Sequence, residues 1–216
     1  MKKNLTELVF VLDMSGSMAG LTDDTIGGFN SVLKQHSSGE GEVLVTTYLF
    51  NNESRMLHDR IPVAEVTPMT DREYCAGGCT ALIDALGSAI RHIASVHRYA
   101  REEDIPEHTI FIITTDGMEN ASHMFSADKV REMVKHEQEK YGWEFIFLAA
   151  NIDAVETAVN YGINPQRAVN YHNDGAGTAT LYKTVSGAVG SIRSGCSLDE
   201  APCWREEADR DFNNRK

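Results

Sequence analysis

Cysteine, positive charge and long apolar runs are all scarce in this chain, and each scarcity removes a class of protein. There are 4 cysteines in 216 residues. Cys75 and Cys79 are separated by three residues, and Cys196 and Cys203 by six. Neither spacing is the two-residue knuckle of a zinc site, so free thiols in a reducing compartment are expected, with a Cys75–Cys79 disulfide as the oxidised alternative. Basic residues number 20 against 32 acidic ones, a formal charge of −12. That balance, with no Lys/Arg cluster, argues against binding nucleic acid, whose phosphates demand concentrated positive charge. No stretch approaches the roughly 18 apolar residues of a membrane-spanning helix. The start, Met-Lys-Lys-Asn followed by the short apolar run Leu8–Leu12, lacks the long core and small-residue cleavage site of a secretion signal. A cytoplasmic protein is expected.

The residues that are present describe a globular domain. Hydrophobic residues make up 42% and charged residues 24%, enough apolar surface to build a core without disulfides or a structural metal. Continuous apolar runs alternate with helix-periodic segments. Leu8–Leu12 reads as a central strand covered on both faces. A Ser/Gly loop then leads to a helix with Ile26, Phe29 and Leu33 on one side. Glu42–Phe50 is β-branched and aromatic, and Asn51-Asn52 turns it into a second strand near Met56–Val63, a hairpin with an antiparallel edge strand. A loop over 67–80 precedes an amphipathic helix marked by Leu82, Leu86, Ile90 and Ile93. Thr109–Thr114 and Trp143–Ala149 are further strands, with a helix around Ala127–Tyr141 between them. Asp153 and Glu156 suggest a capping box that opens a short helix, and Gly162 suits its left-handed end. Ala168–Tyr171 is a last short strand, and Leu181, Val185, Ala188 and Ile192 mark a final helix. The reading gives one domain over 1–194, three-layer α/β/α and doubly wound, with a mostly parallel six-stranded sheet. Residues 195–216 read as a polar, loosely packed tail.

In such sheets ligands bind beyond the carboxyl ends of the strands, and three polar segments fall there. They are Asp13-Met-Ser15-Gly-Ser17 after the first strand, Gly77-Gly-Cys-Thr80 before the amphipathic helix, and Thr114-Thr-Asp116-Gly117 after the Thr109–Thr114 strand. Asp13, Ser15, Ser17, Thr80 and Asp116 form an oxygen-only donor set that suits Mg²⁺ or Mn²⁺ over softer metals. Two carboxylates roughly balance a dication, and the neutral hydroxyls leave room for waters or an outside oxygen. Taken singly, Asp13 reads equally as a helix cap, Ser15 and Ser17 as turn residues and Asp116-Gly117 as a turn. Their joint placement on one rim is what points to a metal.

This set resembles the metal-ion-dependent adhesion site (MIDAS) of von Willebrand factor A (VWA) domains. The family pattern of Asp-x-Ser-x-Ser, a threonine after a Gly-rich loop and an aspartate in a strand-end Asp-Gly is matched by Asp13, Ser15, Ser17, Thr80 and Asp116. The resemblance covers about residues 5–193. It implies a non-enzymatic protein-binding module in which an acidic side chain of a partner protein completes the shell of a Mg²⁺ or Mn²⁺ ion. Intracellular bacterial relatives of this kind often act with ATPases or within multi-subunit complexes.

Other chemistries fit less well. Asp13 is similar to the aspartyl nucleophile of haloacid-dehalogenase-like phosphatases, which makes a metal-dependent phosphohydrolase the alternative, but Ser15 stands where the second aspartate belongs. No Gly-x-Ser-x-Gly elbow, P-loop, His-Glu-x-x-His or dinucleotide fingerprint occurs. His92 and His97 fall on a helix as surface or packing residues, and Gly175–Thr178 reads as an ordinary loop and helix cap.

Overall fold

A computed structural model of the chain describes residues 1–199 and 202–215. The sheet follows from the apolar runs. Strand β1 (Lys2–Asp13) is flanked in parallel by β2 (Glu42–Phe50) and β4 (Pro106–Thr115), β5 (Glu144–Ala149) and β6 (Ala168–Asn170) continue in parallel, and β3 (Ser54–Pro62) runs antiparallel at the far edge. The order is β3-β2-β1-β4-β5-β6. Six strands with one antiparallel edge are therefore as expected, and the hairpin at Asn51-Asn52 supplies that edge.

Period-two alternation sends each strand into two cores. Leu8, Phe10, Leu12, Ile110 and Ile112 face one side, where they meet α1 (Thr22–Ser37) and α5 (Gly175–Arg193). Val9, Val11, Phe111, Phe145 and Phe147 face the other, where α2 (Leu82–Tyr99), α3 (Ala127–Tyr141) and α4 (Ala154–Asn160) pack. Strands buried on both faces have no polar alternation to show, which is why they read as unbroken apolar runs. The starts of α3, α4 and α5 follow from local side-chain caps. Ser126 accepts from Lys129 N–H and Asp153 from Val155 and Glu156 N–H. Asp174 accepts from Gly177 N–H, so the Gly175–Thr178 stretch is the ordinary cap its sequence suggested. Gly142 and Gly162 take the left-handed conformation after α3 and α4.

Two features depart from the sequence reading. Strand β1 begins at Lys2, so Glu7 lies in a central strand with no exposed surface. Arg60 Nε at 3.0 Å and His97 Nε2 at 2.7 Å meet its carboxylate, which makes His97 a packing residue; His92 pairs with Asp59 nearer the surface. The segment after Ser194 is not loose throughout. It carries α6 (Glu206–Asn214), and Leu198 and Ala208 enter the core beside α5. The buried guanidinium of Arg167 ties it down through Glu144 at 2.9 Å and Asp199 at 2.8 Å. Cys75, Cys79 and Cys196 are free and exposed, as the sequence reading expected; the side chain of Cys203 lies outside the described residues.

No described helix is long and apolar enough to cross a membrane.

Candidate metal centre at the carboxyl rim

The strand order reverses between β1 and β4, so the crevice of the fold opens at the ends of those two strands. Asp13 closes β1, and Asp116 follows directly on β4. Both are buried, at 0% and 1% exposure. Asp13 Oδ1 accepts the Ser15 N–H at 2.7 Å and Oδ2 accepts the Thr115 hydroxyl at 2.6 Å, while Tyr74 donates its hydroxyl to the Asp13 carbonyl. The Ser15 bond is a short turn closed by the aspartate. No helix is capped by Asp13.

The serines follow in line. Ser15 Oγ and Ser17 Oγ are 3.1 Å apart, and the Ser17 hydroxyl donates to Asp116 Oδ1 at 2.5 Å. Asn173, on the loop after β6, donates to Asp116 Oδ2 at 3.1 Å. Thr80 joins them by way of Gly117. A side-chain carbon at Gly117 would sit 3.5 Å from Ser17 Oγ and 3.7 Å from Thr80 Oγ1, so the two hydroxyls converge on the space that glycine leaves open. All five expected residues thus meet at one rim.

The loop that carries Thr80 is tightly held. Gly16 N–H bonds the Gly78 carbonyl at 3.0 Å, and Gly77 N–H bonds the Met14 carbonyl at 2.8 Å. Gly78 has φ +86°, a conformation that L side chains rarely adopt. Asn51 and Asn52 of the β2–β3 turn brace the same loop through Gly77 O and Cys79 N–H. Asn120 accepts the Thr80 N–H at 2.9 Å and donates its own N–H to the Thr80 carbonyl at 3.0 Å. The segment bearing Asn120 is anchored by two carboxylates that serve backbone groups. Glu119 accepts the N–H groups of Ile83, Ala121 and Ser122. Asp84 accepts those of His123, Met124 and Phe125.

The sequence reading missed Thr115, Tyr74, Asn120, Asn173, Asp84 and Glu119. Thr115 had a signal, since it stands inside the Thr114–Gly117 segment. The others bond to main chain or to a distant side chain, and no periodicity announces that.

Electrostatically the rim is short of positive charge. Burial pushes the Asp13 carboxyl above its ordinary range; hydrogen bonds from Thr115 and Ser15 oppose this, and the charge on Asp116 adds to it. Among the described residues neither Asp13 nor Asp116 forms an ion pair with a basic side chain. Two buried carboxylates without a cation are costly. Three hydroxyls and two carboxylates around a gap match the oxygen-only demand of a hard dication. No group of three or more His, Cys, Asp or Glu placed to hold a metal exists among the described residues, so the rim offers a hydroxyl-rich donor set.

Comparison with known proteins gives the same architecture. A sequence profile described as "VWA domain containing CoxE-like protein" matches residues 2–172. No curated protein matches the chain. Among solved structures it is similar to a mutant of the PilB minor pilin from Streptococcus sanguinis (TM-score 0.62, 10% identity, 87% of this chain and 62% of that one). It is similar to the manganese-loaded TRAP protein of Plasmodium vivax (TM-score 0.54, 17% identity, 84% and 73%). A third is proximal thread matrix protein 1 from the mussel byssus with a zinc-occupied MIDAS motif (TM-score 0.56, 14% identity, 87% and 48%). The chain spans less than two thirds of the pilin and byssus chains, and at these identities the likeness is one of fold. The profile match across most of the chain decides the family: this protein belongs to the VWA domain-containing CoxE-like proteins.

Proposed function

We propose that the chain is a metal-dependent protein-binding module. Asp13, Ser15, Ser17, Thr80 and Asp116 would hold one Mg²⁺ or Mn²⁺ ion, directly or through water, and an Asp or Glu of a partner protein would complete its shell. The observation that supports this most is the pairing of two buried, unneutralised carboxylates with three hydroxyls around the gap left by Gly117. The metal supplies a positive charge and an open coordination position. The chain's own residues fix where that position lies, because Asn120, Asn51 and Asn52 hold the Thr80 loop against the Asp13 loop. Manganese and zinc in similar folds are in keeping with a divalent ion.

The module would act by binding, without catalysis. A phosphohydrolase using Asp13 as nucleophile would need a second carboxylate as acid/base two residues on, and Ser15 stands there. A reducing, cytoplasmic setting belongs to the same proposal and agrees with the exposed thiols of Cys75, Cys79 and Cys196. An ATPase or a multi-subunit complex is the kind of partner proposed.

Titration calorimetry with Mg²⁺ and Mn²⁺ on the wild type and on Asp13→Ala tests the site. Saturable binding lost in the variant is expected, and equal binding by both would overturn the assignment. Affinity purification with and without EDTA tests the partner, which should be released by the chelator.

A further inference from the structure

At the opposite rim of the sheet, where β4 begins, the ends of α2 and α3 enclose a second cavity of about 320 Å³. Its walls are part apolar, with Ala94, Ile105 and Trp143, and part charged, with Glu107 and Glu137 set against Arg98 and the Met1 end and with His97 and His136 beside them. Such a volume and mixture are typical of small-molecule sites. The unusual member is Glu137. It is 94% buried (6% exposed), and its Oε2 has no hydrogen-bond partner. Its carboxylate forms no ion pair among the described residues. His97, which could have answered it, is already committed to Glu7 at 2.7 Å. Burial pushes the Glu137 carboxyl above its ordinary range, and neighbouring His136, His97, Lys140 and Arg98 oppose that without cancelling it. A buried carboxylate oxygen with no donor is an uncompensated cost that a bound N–H donor would remove.

The apolar wall is rigid. Trp143 is stacked on Phe111 with ring centroids 5.4 Å apart and is met edge-on by His97 at the same distance. A ligand entering here finds a preformed hydrocarbon surface beside the Glu137 carboxylate.

We propose that this cavity binds a small organic ammonium ion, with its N–H donors on the Glu137 carboxylate and its carbon skeleton against Trp143 and Ile105. The site is independent of the metal centre and of any protein partner.

Phenethylammonium is a suitable probe, followed by amide and indole N–H shifts in the ¹⁵N-labelled full chain at pH 7. The indole N–H of Trp143 should shift saturably, while that of Trp204, which packs against the other core, stays still. EDTA and Asp13→Asn should change nothing, so a failure of the metal centre and a failure of this site are separable. Glu137→Gln, which keeps the shape and removes a buried charge, should weaken binding at least tenfold, as should replacing the probe by 2-phenylethanol. Ala94→Leu, which fills the cavity from α2, should abolish it. Absence of a saturable shift at Trp143 overturns the proposal. So does equal binding of 2-phenylethanol, which would make the cavity merely apolar, or equal binding by a folded Glu137→Gln.

Discussion

Replacing Asp13 by Asn should reverse the order of stability between the wild type and the variant when a dication is added. Asn keeps the shape, its oxygen still accepts the Ser15 N–H, and the Thr115 hydroxyl can accept from the new amide. What disappears is one of two buried negative charges. The folded-state carboxyl titrates above the unfolded one. Ionised Asp13 therefore costs stability at neutral pH, and the cost is relieved only as pH falls toward the folded-state value. Removing it should stabilise the metal-free protein by on the order of 1–2 kcal/mol, the size of a like-charge interaction partly screened in a protein environment. Metal acts in the other direction. At a concentration one hundred times Kd a ligand bound only by the folded state adds about 2.7 kcal/mol. In a chain of 216 residues each kcal/mol moves Tm by about 2–4 °C, so the wild type should gain roughly 5–10 °C. Thermal melts in EDTA and in a Mg²⁺ or Mn²⁺ series measure both effects. The expected record is Asn above Asp in EDTA and Asp above Asn in saturating metal. An equal metal shift in both proteins would refute the site. A variant less stable in EDTA would refute the charge argument even if the metal binds.

Other outcomes follow from the same structure. Asp84→Ala leaves the N–H groups of His123, Met124 and Phe125 without their acceptor and should cost about 2–4 kcal/mol in urea unfolding; it should also weaken metal binding, since the freed segment carries Asn120, which holds Thr80. His36 is lowered to about 4 by burial, with Arg193 adding to the effect. The folded state thus keeps it neutral, and its contribution is complete above pH 6.5 and declines as pH drops toward 4. The loss is about 1 kcal/mol at pH 5.5 and at most about 3 kcal/mol below pH 4, and His36→Gln should flatten that part of the pH–stability curve. Arg167→Met breaks the pairs to Glu144 and Asp199. Because both acids reach solvent, the expected cost is about 1–3 kcal/mol, less than for a fully buried pair, and limited proteolysis should then cut the segment after Ser194 faster.

What could be read in the sequence was what one element states about itself. Leu8–Leu12, Glu42–Phe50 and Thr109–Thr114 announced buried strands because both faces of each are covered, and Asn51-Asn52 announced the antiparallel edge. The five oxygen donors were legible because the fold class says where ligands sit, so position after a strand could stand in for coordinates. What could not be read was compensation between distant residues. Glu7 looks like the polar entrance to a strand, yet it is fully buried, and Arg60 and His97 that answer it are 53 and 90 residues away. The segment Glu206–Asn214 looks solvated because it buries only Ala208 as a helix, and its place is set by Leu198 and by Arg167 on another element. Asp84 and Glu119 are charges spent on backbone N–H groups across a loop, which leaves no trace in periodicity.

The two rims of the sheet differ in a way that ties these points together. At the carboxyl rim, carboxylates without cations are gathered where loops are braced by asparagines, so that on the proposed reading a positive charge from outside would lower the energy of a geometry already in place. At the amino rim, Glu7 is answered internally by Arg60 and His97, and among the described residues Glu137 is left over. A buried charge that the chain answers itself is structural, because its removal costs stability with or without a ligand. A buried charge left unanswered makes the free protein less stable and the liganded one more so. Neutralising each of these acids in turn should separate the two kinds by the sign of the stability change. Glu7→Gln is expected to lose stability by breaking an answered pair, whereas Asp13→Asn and Glu137→Gln are expected to gain it in the unliganded protein. If Glu137→Gln lost stability as Glu7→Gln does, its carboxylate would have to be answered within the chain, and the argument for a ligand at that rim would fall with it.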